Sequence, residues 1–143
     1  MIRQATEEDI LDILVLGKQF IKESGYTWDK NKTHDTIASL LASPLGTVLV
    51  WQEAGEIVGA LMGIITNPFL SHNKEAYEIA WFVDPDFRGK KGSLYLLKEF
   101  EDWARSEQCD AIVMGDIVAV SNLCKLYERR GYKPVERLYK KEI

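Results

Sequence analysis

Cysteine is scarce in this chain, with two in 143 residues, Cys109 and Cys124. That is too few for a disulfide scaffold, and their separation does not match a metal-ligand pair, so two buried, reduced thiols are expected. Histidine is equally sparse. His34 and His72 do not stand at metal-ligand spacing, and no metal is expected. No apolar run approaches the ~20 residues that a membrane-crossing helix needs. The stretch from Met1 to Asp9 is too acidic and too poor in apolar residues for a signal peptide, so a cytoplasmic start is expected. A basic excess is missing as well: the formal charge of −4 argues against a general nucleic-acid backbone binder. Without internal repeats, low-complexity tracts or linkers, one compact domain is expected over residues 1–143.

Apolar residues at 46% and charged residues at 28% are ordinary for a soluble globular domain. A chain of this length buries roughly two-thirds of the surface that it exposes when unfolded. Ile2–Ala5 reads as a short strand. Thr6 is a candidate N-cap for a helix in which Ile10, Ile13, Leu14, Phe20 and Ile21 share a face and Gly25 supplies the stop. A second helix carries Ile37, Leu40 and Leu41 and closes at Ser43-Pro44. Thr47–Gln52 and Ile57–Thr66 read as strands joined by a hairpin at Glu53-Ala-Gly-Glu56, and a loop from Asn67 leads to a strand over Ala76–Val83. A helix over about Ser93–Gln108 buries Leu96, Leu97, Phe100, Trp103 and Ala104. A buried strand at Ala111–Met114, a short helix at Asn122–Arg130 and a last strand or hairpin over Tyr132–Lys141 complete the pattern.

The most informative segment is Val83-Asp-Pro-Asp-Phe-Arg-Gly-Lys-Lys-Gly-Ser93. A strand ends before Pro85, passes through a basic, glycine-containing turn, and opens into an apolar-periodic helix. Backbone N–H groups at a helix start lack intrahelical partners and face the positive end of the dipole. Beside Arg88, Lys90 and Lys91, such a turn suits a multiply charged anion, most naturally a pyrophosphate. A solvated basic turn is the plainer reading. It does not account for the Pro85 break and the apolar helix that follows. The spacing excludes a Walker-type loop.

This strand–turn–helix with Val83, Pro85, Arg88 and Gly89, followed by Leu126-Tyr127-Glu-Arg-Arg-Gly131-Tyr132, resembles the GNAT superfamily of N-acetyltransferases over essentially the whole chain. The resemblance implies an α+β fold, a mixed, largely antiparallel curved sheet of six to seven strands flanked by about four helices. The strand carrying Glu78 and the one at 111–114 are then expected to run parallel and splay apart. The resemblance further implies acetyl-CoA as donor and a primary amine, small molecule or protein, as acceptor. A homodimer through the final strands is a further expectation. Cofactor contacts then fall on the backbone of Phe82 and Val83 and on the turn at Arg88, Gly89, Lys90, Lys91, Gly92 and Ser93. The turn departs from the family pattern. Lys91 stands where the first glycine is usual, Ser93 replaces the second small residue, and Gly92 is displaced by one.

By resemblance, Tyr127 is the acid that protonates the departing thiolate, a role consistent with a phenol pKa near 10 against ~8.5 for a thiol. Its alternative is a core aromatic on the face of Leu123 and Leu126. Glu78 matches the family's catalytic glutamate, with Ala76, Ala80 and Phe82 expected on its face by strand alternation and a bulge leaving the register open by one residue. Its alternative is an exposed strand carboxylate. The family's pantetheine-contacting asparagine position falls on Val120, and Asn122 or Ser121 reads as a helix cap. The acceptor site, by resemblance, draws on the loops with Tyr26, Trp28 and Asp29 and with Phe69 and His72. Aromatics beside a carboxylate suit a cationic amine. Two rival functions stand beside acetyl transfer: a CoA-binding module without turnover, and a protein-interaction domain on the same fold.

Overall fold

The computed structural model describes residues 1–117 and 122–143. Among these residues, five strands form one sheet in the order β1 (Ile2–Gln4), β2 (Gly46–Glu53), β3 (Glu56–Thr66), β4 (Glu75–Val83) and β5 (Ala111–Val113). The first four are antiparallel neighbours, and β5 joins β4 in parallel. Helices α1 (Ile10–Ser24) and α2 (Lys30–Ala42) cover one face, and α3 (Lys91–Ser106) covers the other. The short α4 (Cys124–Arg129) follows β5.

Strand alternation divides the core between the two helical layers. On β2, Val48 and Val50 join Ile13 of α1 and Ile37 of α2 in one cluster. Leu49 and Trp51, pointing the opposite way, join Leu96 and Phe100 of α3 in the other. Burial on both faces explains why β2 reads as a nearly unbroken apolar run. The β2–β3 hairpin turns at Ala54 (φ 48°) and Gly55 (φ 86°), where two consecutive left-handed residues match the twist of the strands. Helix α1 buries Ile10, Ile13, Leu14 and Gly17 and stops at Gly25, which holds φ 82°.

The sheet has fewer strands than expected. Residues after Tyr132 form no strand or hairpin, and Val135, Leu138 and Tyr139 remain exposed. Pro134 removes a ladder donor, the apolar positions do not alternate, and β5 offers only three residues as a template.

The entry into α1 is fixed by a buried carboxylate. Asp9 accepts from Arg3 Nη1 at 2.7 Å and Nη2 at 2.9 Å, and reaches back to the Thr6 N–H at 2.7 Å. This ties β1 to a 3-10 turn at Glu7–Asp9 and thence to α1. The Arg3 guanidinium holds the Asp9 carboxyl down at about 2. An unfolded aspartate titrates near ~3.9. The contribution of this group is therefore complete above that value and lost as pH falls through 2. Asp9→Asn is expected to lower stability at neutral pH by about 1–2 kcal/mol. In urea titrations, the gap between wild type and variant should close as the pH is lowered across that window.

Candidate active site

Asp84 starts the turn after β4 by accepting from the Asp86 N–H at 2.8 Å, and Pro85 opens a 3-10 turn through Phe87. Gly89 then takes φ 77°, a left-handed conformation that costs a glycine little, and Lys90 is the N-cap of α3. Several N–H groups are used locally: Arg88 donates to Pro85 O, Lys90 to Phe87 O and Ser93 to Lys90 O. Those of Gly89, Lys91 and Gly92 have no acceptor among the described residues. Three free donors thus sit at the positive end of a 16-residue helix, an arrangement suited to phosphate oxygens.

The basic side chains divide by task. Arg88 turns inward, donating from Nε to Val83 O at 2.9 Å and from Nη2 to Glu23 of α1 at 2.7 Å, so it fastens the turn to the fold. Lys90 Nζ lies 4.4 Å from the Phe87 ring centroid. Lys91 is exposed and makes no ion pair among the described residues. The departure from the family pattern now has a reason. A Cβ on Gly92 would meet the Trp51 indole at 2.1 Å, so the first turn of α3 rests on that ring. Lys91, by contrast, has no positive φ, so its backbone conformation does not require glycine.

Below the turn the sheet opens. The β4–β5 pairing ends at Tyr77↔Val113, and β4 continues to Val83 without a β5 partner. Opposite, Met62 pairs with Ala80 and Gly63 with Glu78, leaving Ile79 as an extra, bulged residue. The bulge corrects the expected alternation. Ala80 and Phe82 pack on the α1 side and Ala76 on the α3 side. Glu78 shares the side of its partner Gly63, where a Cβ would strike Phe100 at 2.3 Å. Phe82 itself is buried against Phe20, ring centroids 5.4 Å apart, so at Phe82 and Val83 it is the strand edge that faces the opening.

Two candidate catalytic groups converge on Gly115, just past β5. Glu78 Oε2 accepts from the Gly115 N–H at 2.9 Å, and Tyr127 Oη donates to the Gly115 carbonyl at 2.6 Å. Burial pushes the Glu78 pKa above the ordinary carboxylate value, and the Gly115 N–H pulls it back part of the way. The buried Tyr127 phenol is pushed well above its ordinary value, by burial first and then by Glu78, Asp116 and Tyr132. Trp81 lies beside it, ring centroids 6.5 Å apart, and its buried indole N–H has no partner among the described residues. An orphaned donor next to the opening fits a ligand that brings acceptors.

Gly115, Trp81 and Asp116 were not legible as site residues. Asp116 Oδ2 accepts from the Leu123 N–H at 3.0 Å at the start of α4. The N-cap is Leu123, not Asn122, while Val120 and Ser121 lie outside the described residues.

The expected acceptor residues are not gathered. Asp29 caps α2 by accepting from Lys32 N–H at 2.9 Å, and Trp28 packs against Gly17. Tyr26 is exposed, with Lys140 Nζ 4.5 Å from its ring centroid. Phe69 is fully exposed, and the loop carrying it and His72 is pinned by Asn67, whose side chain donates to the His72 and Asn73 carbonyls. Among the described residues, no hydrogen bond, ion pair or ring contact joins the two loops. A recess of about 550 Å³ between Met1, Trp51, Phe87, Lys91 and Tyr95 borders the turn, but Glu78, Trp81 and Tyr127 do not line it. Burial raises the Cys109 thiol and Glu128 raises that of the exposed Cys124, so neither is an activated nucleophile. No cluster of metal-ligating side chains occurs among the described residues, and no helix there is long and apolar enough to cross a membrane.

The sequence pattern of the acetyltransferase (GNAT) family matches residues 8–132, so the chain belongs to this family. No curated protein matches the sequence. Among solved structures, a transcriptional regulator from Bacillus halodurans is similar in fold, with TM-score 0.82, 19% identity and coverage of 100% of this chain and 99% of that one. A predicted acetyltransferase from Clostridium acetobutylicum, crystallised with acetyl-CoA, gives 0.82 at 13% identity, covering 99% and 95%. An aminoglycoside antibiotic 6'-N-acetyltransferase from Acinetobacter haemolyticus gives 0.78 at 16% identity, covering 100% and 99%.

Because Gly92 has no room for a side chain, Gly92→Ala is expected to cost about 1–3 kcal/mol by forcing α3 off the Trp51 ring. Thermal unfolding checks this; an unchanged midpoint would contradict the close approach.

Proposed function

We propose that this member of the GNAT acetyltransferase family transfers the acetyl group of acetyl-CoA to a primary amine by direct attack in a ternary complex. One observation carries the reading. Three free N–H groups at the start of α3 stand above a parting of parallel strands in which Glu78 and Tyr127 meet on Gly115. In the same direction points the similarity in fold to a predicted acetyltransferase crystallised with acetyl-CoA.

Gly89, Lys91 and Gly92 would hold the pyrophosphate by their N–H groups, with the Lys91 ammonium adding charge from outside. The edge of β4 at Phe82 and Val83, left without a β5 partner, would pair with the amide groups of the pantetheine arm beside the Val83 carbonyl that Arg88 already engages. When bound, acetyl-CoA supplies an activated acyl carbon and a thiolate leaving group.

Glu78 is the proposed base. Its Oε2 is held by Gly115, which leaves Oε1 to take the ammonium proton, directly or through a water. Its raised pKa narrows the gap to the amine that it must deprotonate. Tyr127 is the proposed acid. In the structure Tyr127 Oη donates to the Gly115 carbonyl, and rotation about the phenol C–O bond would free that proton for a departing thiolate held within its reach. Because its pKa lies above that of a thiol, it donates a hydrogen bond as charge develops and need not ionise fully. No cysteine takes part in this scheme.

The test begins with CoA release over a panel of spermidine, glucosamine, kanamycin and a lysine-containing peptide. Release with at least one amine supports the proposal. Thermal stabilisation by acetyl-CoA without any release would instead identify a binding module without turnover, and failure to bind CoA at all an interaction domain. With the best acceptor, Tyr127→Phe is expected to lower kcat by about 10- to 100-fold while CoA affinity stays within about twofold. A wild-type kcat would remove Tyr127 as the acid. Glu78 must be ionised to act, so activity is expected to fall as pH drops through a value above the ordinary carboxylate range. Glu78→Gln should be slow and lack that acid limb. A limb that persists in the variant, or that moves with the acceptor's own pKa, would assign it elsewhere.

A further inference from the structure

Glu101 is the one charged residue on the buried side of α3. Its side chain is 5% exposed, between the core positions Leu97, Phe100 and Ala104. A carboxylate there carries a heavy desolvation cost unless it is fully paired. It is paired on every side. Arg130, the residue that ends α4, donates from Nε to Oε1 at 2.9 Å and from Nη2 to Oε2, a two-pronged contact. Tyr132 Oη donates to Oε1 at 3.1 Å, and Arg105 Nη2 stands 4.0 Å from Oε2. Burial pushes the Glu101 carboxyl up, but Arg130, Tyr132 and Arg105 outweigh it and hold the group below the usual range.

These partners lead to Tyr127. Tyr132 packs on the Tyr127 ring with centroids 5.5 Å apart, and its N–H donates to the Tyr127 carbonyl at 2.9 Å. Arg130 closes the same helix end, donating its N–H to the Leu126 and Tyr127 carbonyls. Helix α4 has six residues, too few to be stable alone, so the place of Tyr127 depends on what grips its ends. Asp116 holds one end, and the Glu101–Arg130–Tyr132 cluster holds the other.

We infer that Glu101 is a positioning residue for acyl transfer: clamped to Arg130 and Tyr132, it locks α4 onto α3 and so sets where the Tyr127 hydroxyl stands relative to Gly115 and Glu78. The catalytic part of this inference rests on the proposed role of Tyr127; the mechanical part does not. Stability alone is a weak explanation for the cluster, since buried ion pairs replaced by apolar groups of similar size often leave a fold as stable or more so. Placement is the stronger one, because a misplacement of about 1 Å at a reacting group costs about 100-fold in rate.

Two measurements test it. The first is ¹⁹F NMR of protein carrying 3-fluorotyrosine, with the Tyr127 signal identified by its loss in Tyr127→Phe. In Glu101→Gln that signal is expected to move or split; an unchanged signal overturns the inference whatever the role of Tyr127. The second uses the fastest amine of the spermidine, glucosamine, kanamycin and peptide panel. Glu101→Gln should lower kcat by about 10-fold with the KM for acetyl-CoA within about twofold, and should add no further loss in a Tyr127→Phe background. A full additional loss in that background, or a wild-type kcat in the single variant, overturns it. A wild-type kcat in Tyr127→Phe instead removes the catalytic reading, while the NMR result still decides the mechanical one. Should Glu101→Gln not fold, Arg130→Lys is read in the same two ways, since it keeps the charge and loses the two-pronged contact.

Discussion

The parting of β4 from β5 after the Tyr77–Val113 pair is the constraint on which the rest of the site depends. Once the ladder stops, the backbone polar groups beyond it need other partners, and a single residue, Gly115, supplies the bridge. Its N–H satisfies Glu78 and its carbonyl satisfies Tyr127, so a strand carboxylate and a helix phenol meet without touching. Had the two strands stayed paired to the end of β4, the gap would be filled by ladder bonds. Glu78 and Tyr127 would then have no opening to serve.

The turn above the opening owes its shape to packing as much as to glycine. Gly89 reverses the chain, Arg88 ties it to Glu23 and Val83, and Gly92 lets α3 lie directly on Trp51. With those groups engaged, the N–H groups of Gly89, Lys91 and Gly92 are left without an acceptor among the described residues. Two of the three charges that made the turn look like an anion site are engaged with protein groups, Arg88 with Glu23 and Lys90 with the Phe87 ring. The main chain, with Lys91, therefore carries the larger share of any attraction for phosphate.

Several parts of the site were legible because they are local. Pro85 followed by Gly89 and an apolar-periodic helix marks a strand–turn–helix, and the turn forms where expected. Glu78 and Tyr127 were singled out through the family resemblance, and the fold brings them within reach of one residue. The register of the Glu78 strand, open by one residue in the sequence, is decided by the bulged Ile79, which puts Glu78 on the opposite face from Ala80 and Phe82. The loops with Tyr26 and Phe69 looked alike in composition, yet Asp29 is spent on a cap and Phe69 points into solvent. Glu101 sat unremarked in an amphipathic helix, since its pairing with Arg130 spans 29 residues.

What the sequence determined by itself was the order of elements as far as the short helix before Tyr132, the hairpin at Glu53-Ala-Gly-Glu56 and the turn after Val83. Each follows from the preferences of neighbouring residues for dihedral angles and for one face over the other. The tertiary structure alone decided the bulge at Ile79, the meeting of Glu78 and Tyr127 on Gly115, the orphaned Trp81 N–H and the Glu101 clamp. It also decided that the chain after Tyr132 stays out of the sheet. The physical reason is the same for all of these. Backbone preferences are set within a few residues, whereas the partner that satisfies a buried polar group is set by which distant segments the core brings together.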